Sequence, residues 1–324
     1  MAARILIVKL GAIGDVLRTT SLLPGLKEKF EPSEIDWVTY ENSEELLYKN
    51  PHLRKIFVWG EPVGAYDLAI GLEDDKEACE FVSSIKAGKM IGAYSEKGKI
   101  TYTPSAWFDM SMISKYGIER ANDLKKLNRK TYQQHMADLL GIKVSPYVFS
   151  LTPEEIEYGE KIVRGLGIEA KDKVIGVNTG AGRRWPQKSW GVEQTIELIK
   201  RLGAVCLILG GEEERERNRK IASETGMPEA GVHSLRHFAS IVNQCKVVLS
   251  SDSLAMHFAI ALRKRTVAFF GPTSAAEIEL YGLGEKLTSS IECLTCYKKG
   301  CQIVPNCMDL LSVEDVFQSV KRQL

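Results

Sequence analysis

Short, nearly continuous apolar runs alternate along this chain with stretches whose apolar residues recur every three or four positions. Residues 4–10 (RILIVKL) read as a buried parallel strand, being short, β-branched and almost without polar interruption. From Val16 to Leu26 the spacing turns helical, with Val16, Leu17, Thr20, Leu23 and Leu26 on one face. The same reading predicts strands at 35–40, 55–59, 67–72 and 90–94, a short helix at 43–49 and an amphipathic helix at 76–87. The pattern weakens between Ser95 and Lys130 and returns as a helix over 131–140. Thr152 can cap the next helix, with Pro153 at its first position and Glu154 and Glu155 in its first turn. Strands then follow at 173–178, 204–209, 246–250 and 266–270, separated by helices at 192–202, 212–225, 235–245 and 253–262. Such alternation implies parallel sheets with helices on both faces. We expect an α/β protein of two Rossmann-like domains, residues 1–150 and 151–324, facing each other across a cleft.

Four strand ends carry candidate chemistry. After the first strand comes Lys9-Leu10-Gly11-Ala12-Ile13-Gly14-Asp15, where Gly11 and Gly14 permit a sharp turn and close approach of a ligand. Asp15 either caps the helix that follows or is a carboxylate held at the ligand-binding edge of the sheet. In the second half, Asn178-Thr179-Gly180-Ala181-Gly182-Arg183-Arg184-Trp185-Pro186-Gln187-Lys188 offers glycines, a hydroxyl and cations suited to a diphosphate, or is simply a polar surface turn. It is a poor P-loop: Gln187 stands where glycine must precede the lysine. Gly210 and Gly211 lead into Glu212 and Glu213, placed to hold ribose hydroxyls or only to favour a helix N-terminus. Asp252 and Ser253 precede a helix whose free N–H groups attract anions, with Met256 and His257 in its first turns. His257 shares a face with Ser253 and is otherwise a packed core residue. Together these loops describe a nucleotide-diphosphate site, and no GxGxxG favours a dinucleotide.

Composition narrows the partners. The 324 residues are 44% hydrophobic and 26% charged, ordinary for a globular protein, and the formal charge of +1 draws it to no nucleic acid. No apolar stretch approaches the roughly 20 residues that span a bilayer, and no signal peptide is read. Residues 115–130 hold six basic side chains, including Arg120, Lys125 and Lys126, against two acidic ones. This is either a solvated helix face or a docking surface for an anionic substrate.

With these motifs in order, KLGAIGDVLRTTSLLPGLK, GAGRRWPQKSW, GGEEE, SSDSLAMHFAIAL and FFGPTS, the chain resembles the ADP-heptose–lipopolysaccharide heptosyltransferase family over its full length. The resemblance implies the GT-B fold, with the acceptor on the first domain and ADP-heptose on the second. It implies inverting transfer of heptose to the inner core of lipopolysaccharide (Kdo or heptose), in the cytoplasm at the inner face of the cytoplasmic membrane. It makes Asp15 the general base and Lys188 the cation on the leaving diphosphate. Thr179, Gly180, Gly182, Arg183, Glu212, Glu213, Asp252, Ser253, Met256 and His257 then surround the nucleotide sugar. Gly14, Arg120, Lys125 and Lys126 face the acceptor. Some members carry hydroxyl residues where this chain has Arg183 and Arg184. No cofactor is required for the chemistry so implied. The alternatives are a relative that uses another nucleotide sugar or acceptor, and a binding protein without turnover.

Cys293, Cys296, Cys301 and Cys307 remain outside this reading. Their first spacing is that of a thiolate metal site, so a structural zinc or iron ion is a candidate beside reduced thiols and disulfides.

Overall fold

The first apolar run forms β1 (Ala3–Val8), whose last four residues are fully buried. The computed structural model describes residues 2–111 and 113–324, which divide into compact units at 1–150 and 151–324. In the first unit β1 is followed by β2 (Ser33–Thr39), β3 (Leu53–Val58), β4 (Tyr66–Gly71), β5 (Ala87–Glu96) and β6 (Lys99–Tyr102). Their order is β3-β2-β1-β4-β5-β6, parallel except for the β5–β6 hairpin. Leu6, Val8, Val38, Phe57 and Val82 fill one face of this sheet.

The second unit carries β7 (Ile175–Asn178), β8 (Cys206–Leu209), β9 (Val247–Ser251), β10 (Arg265–Phe270) and β11 (Gly284–Thr288). All are parallel, in the order β11-β10-β9-β7-β8. Its core joins Ile175, Val177, Leu249 and Phe269 to Trp190 and to the helix Val313–Gln323. In each sheet the winding reverses beside the first strand, between β1 and β4 and between β7 and β9. Ligands of open α/β sheets bind at such reversals, beyond the carboxyl ends of the strands.

Three local outcomes differ from the sequence pattern. The helix expected over 16–26 is broken into Ile13–Thr19, a 3-10 turn Thr20–Leu22, and Leu23–Lys29. The hydroxyls of Thr19, Thr20 and Ser21 bond back to carbonyls of the preceding turn, and Pro24 brings no N–H, so the hydrogen-bond ladder is interrupted. The weakly patterned stretch after Ser95 is ordered as β6 and the helices Ala106–Ser111 and Ile113–Leu127, the latter kinked at Gly117 with φ of 78°. β11 and the helix Val313–Gln323 close the second unit beyond the last element read from the pattern. Among the described residues no helix is long and apolar enough to cross a membrane.

Candidate functional site

In the first unit the turn after β1 is closed by the protein's own carboxylate. Glu73, two residues past β4, accepts from Lys9 Nζ at 2.7 Å, from the Leu10 N–H at 2.7 Å and from the Gly11 N–H at 3.1 Å. Lys9 is buried, so the pair is shielded from solvent and the nest of backbone donors is already filled. Neither Gly11 nor Gly14 adopts a positive φ, so the turn does not rest on the conformational freedom expected of them.

Asp15 sits in the first turn of Ile13–Thr19 but does not cap it. Ala12 is the N-cap, without a side-chain bond. The Asp15 carboxylate instead meets Arg18 Nε at 3.1 Å and keeps 35% of its side-chain surface exposed, enough to touch a substrate hydroxyl. Arg18 is buried, its guanidinium 4.2 Å from the Tyr132 ring centroid and 5.4 Å from that of Trp107. Tyr132 is in turn hydrogen-bonded to Thr19 at 2.8 Å and set edge-on to Trp107. The segment with the weakest pattern thus supplies Trp107 beside Arg18.

In the second unit the loop after β7 and the turn after β9 are tied together at the sheet reversal. Asn178 Nδ2 donates to the Gly180 carbonyl at 2.7 Å, to Ser250 Oγ at 3.2 Å and to Ser253 Oγ at 3.1 Å. Thr179 Oγ1 donates to Asn218 at 2.5 Å. Lys188 ends the 3-10 turn Pro186–Lys188, and its ammonium lies 2.7 Å from Asp252 Oδ2, which also accepts from Thr273 Oγ1 at 2.8 Å. Burial alone would raise the Asp252 carboxyl. Lys188, His257 and the hydrogen bonds from Lys188 and Thr273 outweigh it and hold that carboxyl well below the usual carboxylate range. Stability from this pairing is therefore present above the unfolded carboxylate value, about 3.9, and is lost as pH falls through the native one. His257 is buried one turn past Ser253 and donates its N–H to the Ser253 carbonyl at 3.3 Å.

The acidic turn folds onto the glycine loop. Glu214 accepts from the Gly182 N–H at 3.1 Å, and Glu213 from the Arg183 N–H. A Cβ at Gly180 would lie 2.3 Å from Glu214, so a larger residue there would displace the Glu214 side chain. Glu212 is exposed and paired with Arg215, and the Arg183 guanidinium stands largely in solvent. Met256 is fully buried in the core, so it offers no surface to a ligand in this conformation. Arg120 and Lys126 are exposed on Ile113–Leu127. Lys125 is half-buried near Asp74: burial raises that carboxyl, while Lys9 and Lys125 oppose the rise.

The four late cysteines are in no disulfide. Among the described residues no group of three or more His, Cys, Asp or Glu is placed to hold a metal ion. Cys301 is exposed with its thiol toward the Ile303 carbonyl, while Cys307 packs against Gly271. Burial, then the neighbouring Cys296, Cys293 and Cys301, push the Cys307 thiol up to about 11.

Glu73, Arg18 and Thr273 were not singled out by sequence. Each had a signal: Glu73 is an acid just beyond a strand, Arg18 a cation one turn after Asp15, and Thr273 a hydroxyl after the β10 Gly-Pro.

Two Rossmann-like units, each with polar groups gathered at its sheet reversal, are the architecture of the GT-B glycosyltransferases. The chain belongs to glycosyltransferase family 9, the heptosyltransferase family, whose model matches residues 63–305. It is therefore a glycosyltransferase. It is 24% identical to lipopolysaccharide heptosyltransferase 1 of Pseudomonas aeruginosa, over 93% of this chain and 88% of that one. It is 28% identical to lipopolysaccharide heptosyltransferase 2 of Escherichia coli, over 84% and 83%. The structure of a family 9 glycosyl transferase from Veillonella parvula superposes with a TM-score of 0.78 at 20% identity, covering 99% of this chain and 97% of that one.

Proposed function

We propose that this enzyme transfers heptose from ADP-heptose to the anionic inner core of lipopolysaccharide, with inversion at the anomeric carbon. The observation that carries this reading is the Lys188–Asp252–Thr273 cluster at the reversal of the second sheet, a fixed cation beside a glycine loop and a helix N-terminus. A leaving diphosphate needs such fixed positive charge in a partly dry setting. Lys188 and the N–H groups opening Leu254–Ala261 supply it, with Arg183 adding charge from the solvent side. Thr179, Gly180, Gly182, Ser253 and His257 line the phosphates and sugar, and Glu212 and Glu213 hold the ribose.

Inversion takes one in-line displacement, with a base removing the proton of the acceptor hydroxyl as the sugar–phosphate bond breaks. Asp15 fills that role: it is paired with Arg18 and accessible. Gly14, Arg120, Lys125 and Lys126 receive the acceptor, whose Kdo and phosphate charges complement the cationic helix. The acceptor is lipid-borne, so the enzyme works in the cytoplasm against the inner face of the cytoplasmic membrane. The four cysteines enter as scaffold. A zinc or iron ion on them is the alternative, and fewer than about 0.2 equivalents of metal in protein purified without added metal removes it.

Thermal shift with ADP, UDP and GDP, followed by transfer to purified core acceptor, tests the reading. ADP is expected to stabilise most, since a ligand that binds only the folded state raises its midpoint. A preference for UDP or GDP would point instead to a relative with another nucleotide sugar, and binding without transfer to a non-catalytic protein.

A further inference from the structure

The loop that carries the cysteines is built against the donor cluster. Thr295 donates its N–H to the Gly271 carbonyl at 2.9 Å, and Tyr297 donates its N–H to the Pro272 carbonyl at 2.8 Å. The Tyr297 hydroxyl accepts from the Ser274 N–H at 3.3 Å and donates to Glu277 at 2.5 Å. Cys307 closes the other side, since a Cβ at Gly271 would lie 2.5 Å from its sulfur. Residues 271, 272 and 274 are thus held by one short segment, and Thr273 between them donates to Asp252.

Both Thr295 (φ 62°) and Tyr297 (φ 52°) adopt the left-handed backbone region. For a β-branched and a bulky residue this conformation is strained, and it persists only where the surroundings enforce it. Here the enforcing contacts are those with residues 271–274.

We infer that the cysteine-bearing loop braces the donor site, and that Tyr297 is a positioning residue which, by fixing Ser274 and Thr273, holds Asp252 and Lys188 where the diphosphate binds. This rests on the proposed role of Lys188. Tyr297 touches neither the sugar nor the reacting atoms. Its hydroxyl sets the loop whose threonine shares Asp252 Oδ2 with the lysine, so its loss relaxes a preformed cation site and weakens donor binding without altering the base.

The test is calorimetric titration of ADP into the full chain and its Tyr297→Phe, Glu277→Gln, Lys188→Ala and Tyr158→Phe variants, with steady-state kinetics on each. Tyr297→Phe is expected to weaken ADP binding roughly tenfold, as loss of one well-placed hydrogen bond allows. The donor KM should rise in parallel, with kcat and the acceptor KM within about twofold. Glu277→Gln keeps the phenol and should move ADP the same way by roughly threefold. Tyr158→Phe removes another hydrogen-bonded phenol of this unit, 2.8 Å from His233, and should leave ADP affinity unchanged. If Lys188→Ala weakens ADP while Tyr297→Phe and Glu277→Gln do not, the brace is wrong and the donor reading stands. If Lys188→Ala also leaves ADP unmoved, the donor reading falls with it. If Tyr297→Phe raises both KM values and Tyr158→Phe weakens ADP as much as it does, the effect is general destabilisation and the inference is overturned.

Discussion

The turns after β1 and β7 stand at equivalent places in two parallel sheets, yet they are finished differently. After β1 a shielded carboxylate, Glu73, fills the backbone donors and pairs with buried Lys9. After β7 the corresponding amides rest on Glu213 and Glu214 of an exposed turn. The first arrangement is sealed against an outside anion and leaves Asp15 as the accessible group. The second can be exchanged for a phosphate, with Lys188 already set on Asp252. On the proposed reading, one framework serves a base on one unit and an anion grip on the other, according to which carboxylate reaches the strand end and how well it is covered.

The sharpest break in that comparison is Asp15→Asn. It keeps the side chain's size and removes the base, so the transfer rate should fall by about 10³-fold in a single-turnover assay. Next comes Glu73→Ala, which leaves Lys9 buried without its carboxylate. It should cost about 3 kcal/mol of stability by denaturant unfolding, whereas Glu213→Ala at the exposed turn should cost under about 1 kcal/mol. Arg18→Met should lower kcat about tenfold with donor KM unchanged, because Asp15 loses the cation beside it. Smallest is Arg183→Ala: its guanidinium is mostly in solvent, so donor KM should move by less than about threefold. A large effect there would mean that the loop closes on the diphosphate more fully than its free geometry shows.

Much of the framework was legible in the residues. Short β-branched runs read as strands because a sheet buried on both faces tolerates no polar alternation. Val192–Leu202 and the capped start at Thr152 were read at their observed positions because helical period and cap chemistry are local. The ordered signature motifs likewise pointed to the family that the chain belongs to. What escaped depends on partners distant in sequence. Glu73 reaches Lys9 across 64 positions, and Tyr132 reaches Thr19 across 113, spans over which periodicity carries no signal. Asp15 had the composition of a cap, and only the observed start of the helix at Ile13 shows that it is not one. The cysteines share a metal-like spacing, and spacing alone did not tell that Cys301 is exposed or that Cys307 packs against Gly271.

The most direct measurement is ADP affinity by titration calorimetry for the full chain and for Asp15→Ala and Lys188→Ala. The division of labour described here predicts that Asp15→Ala binds ADP within about threefold of the parent, while Lys188→Ala binds at least about tenfold more weakly. Loss of ADP binding in Asp15→Ala, with full binding in Lys188→Ala, would contradict it.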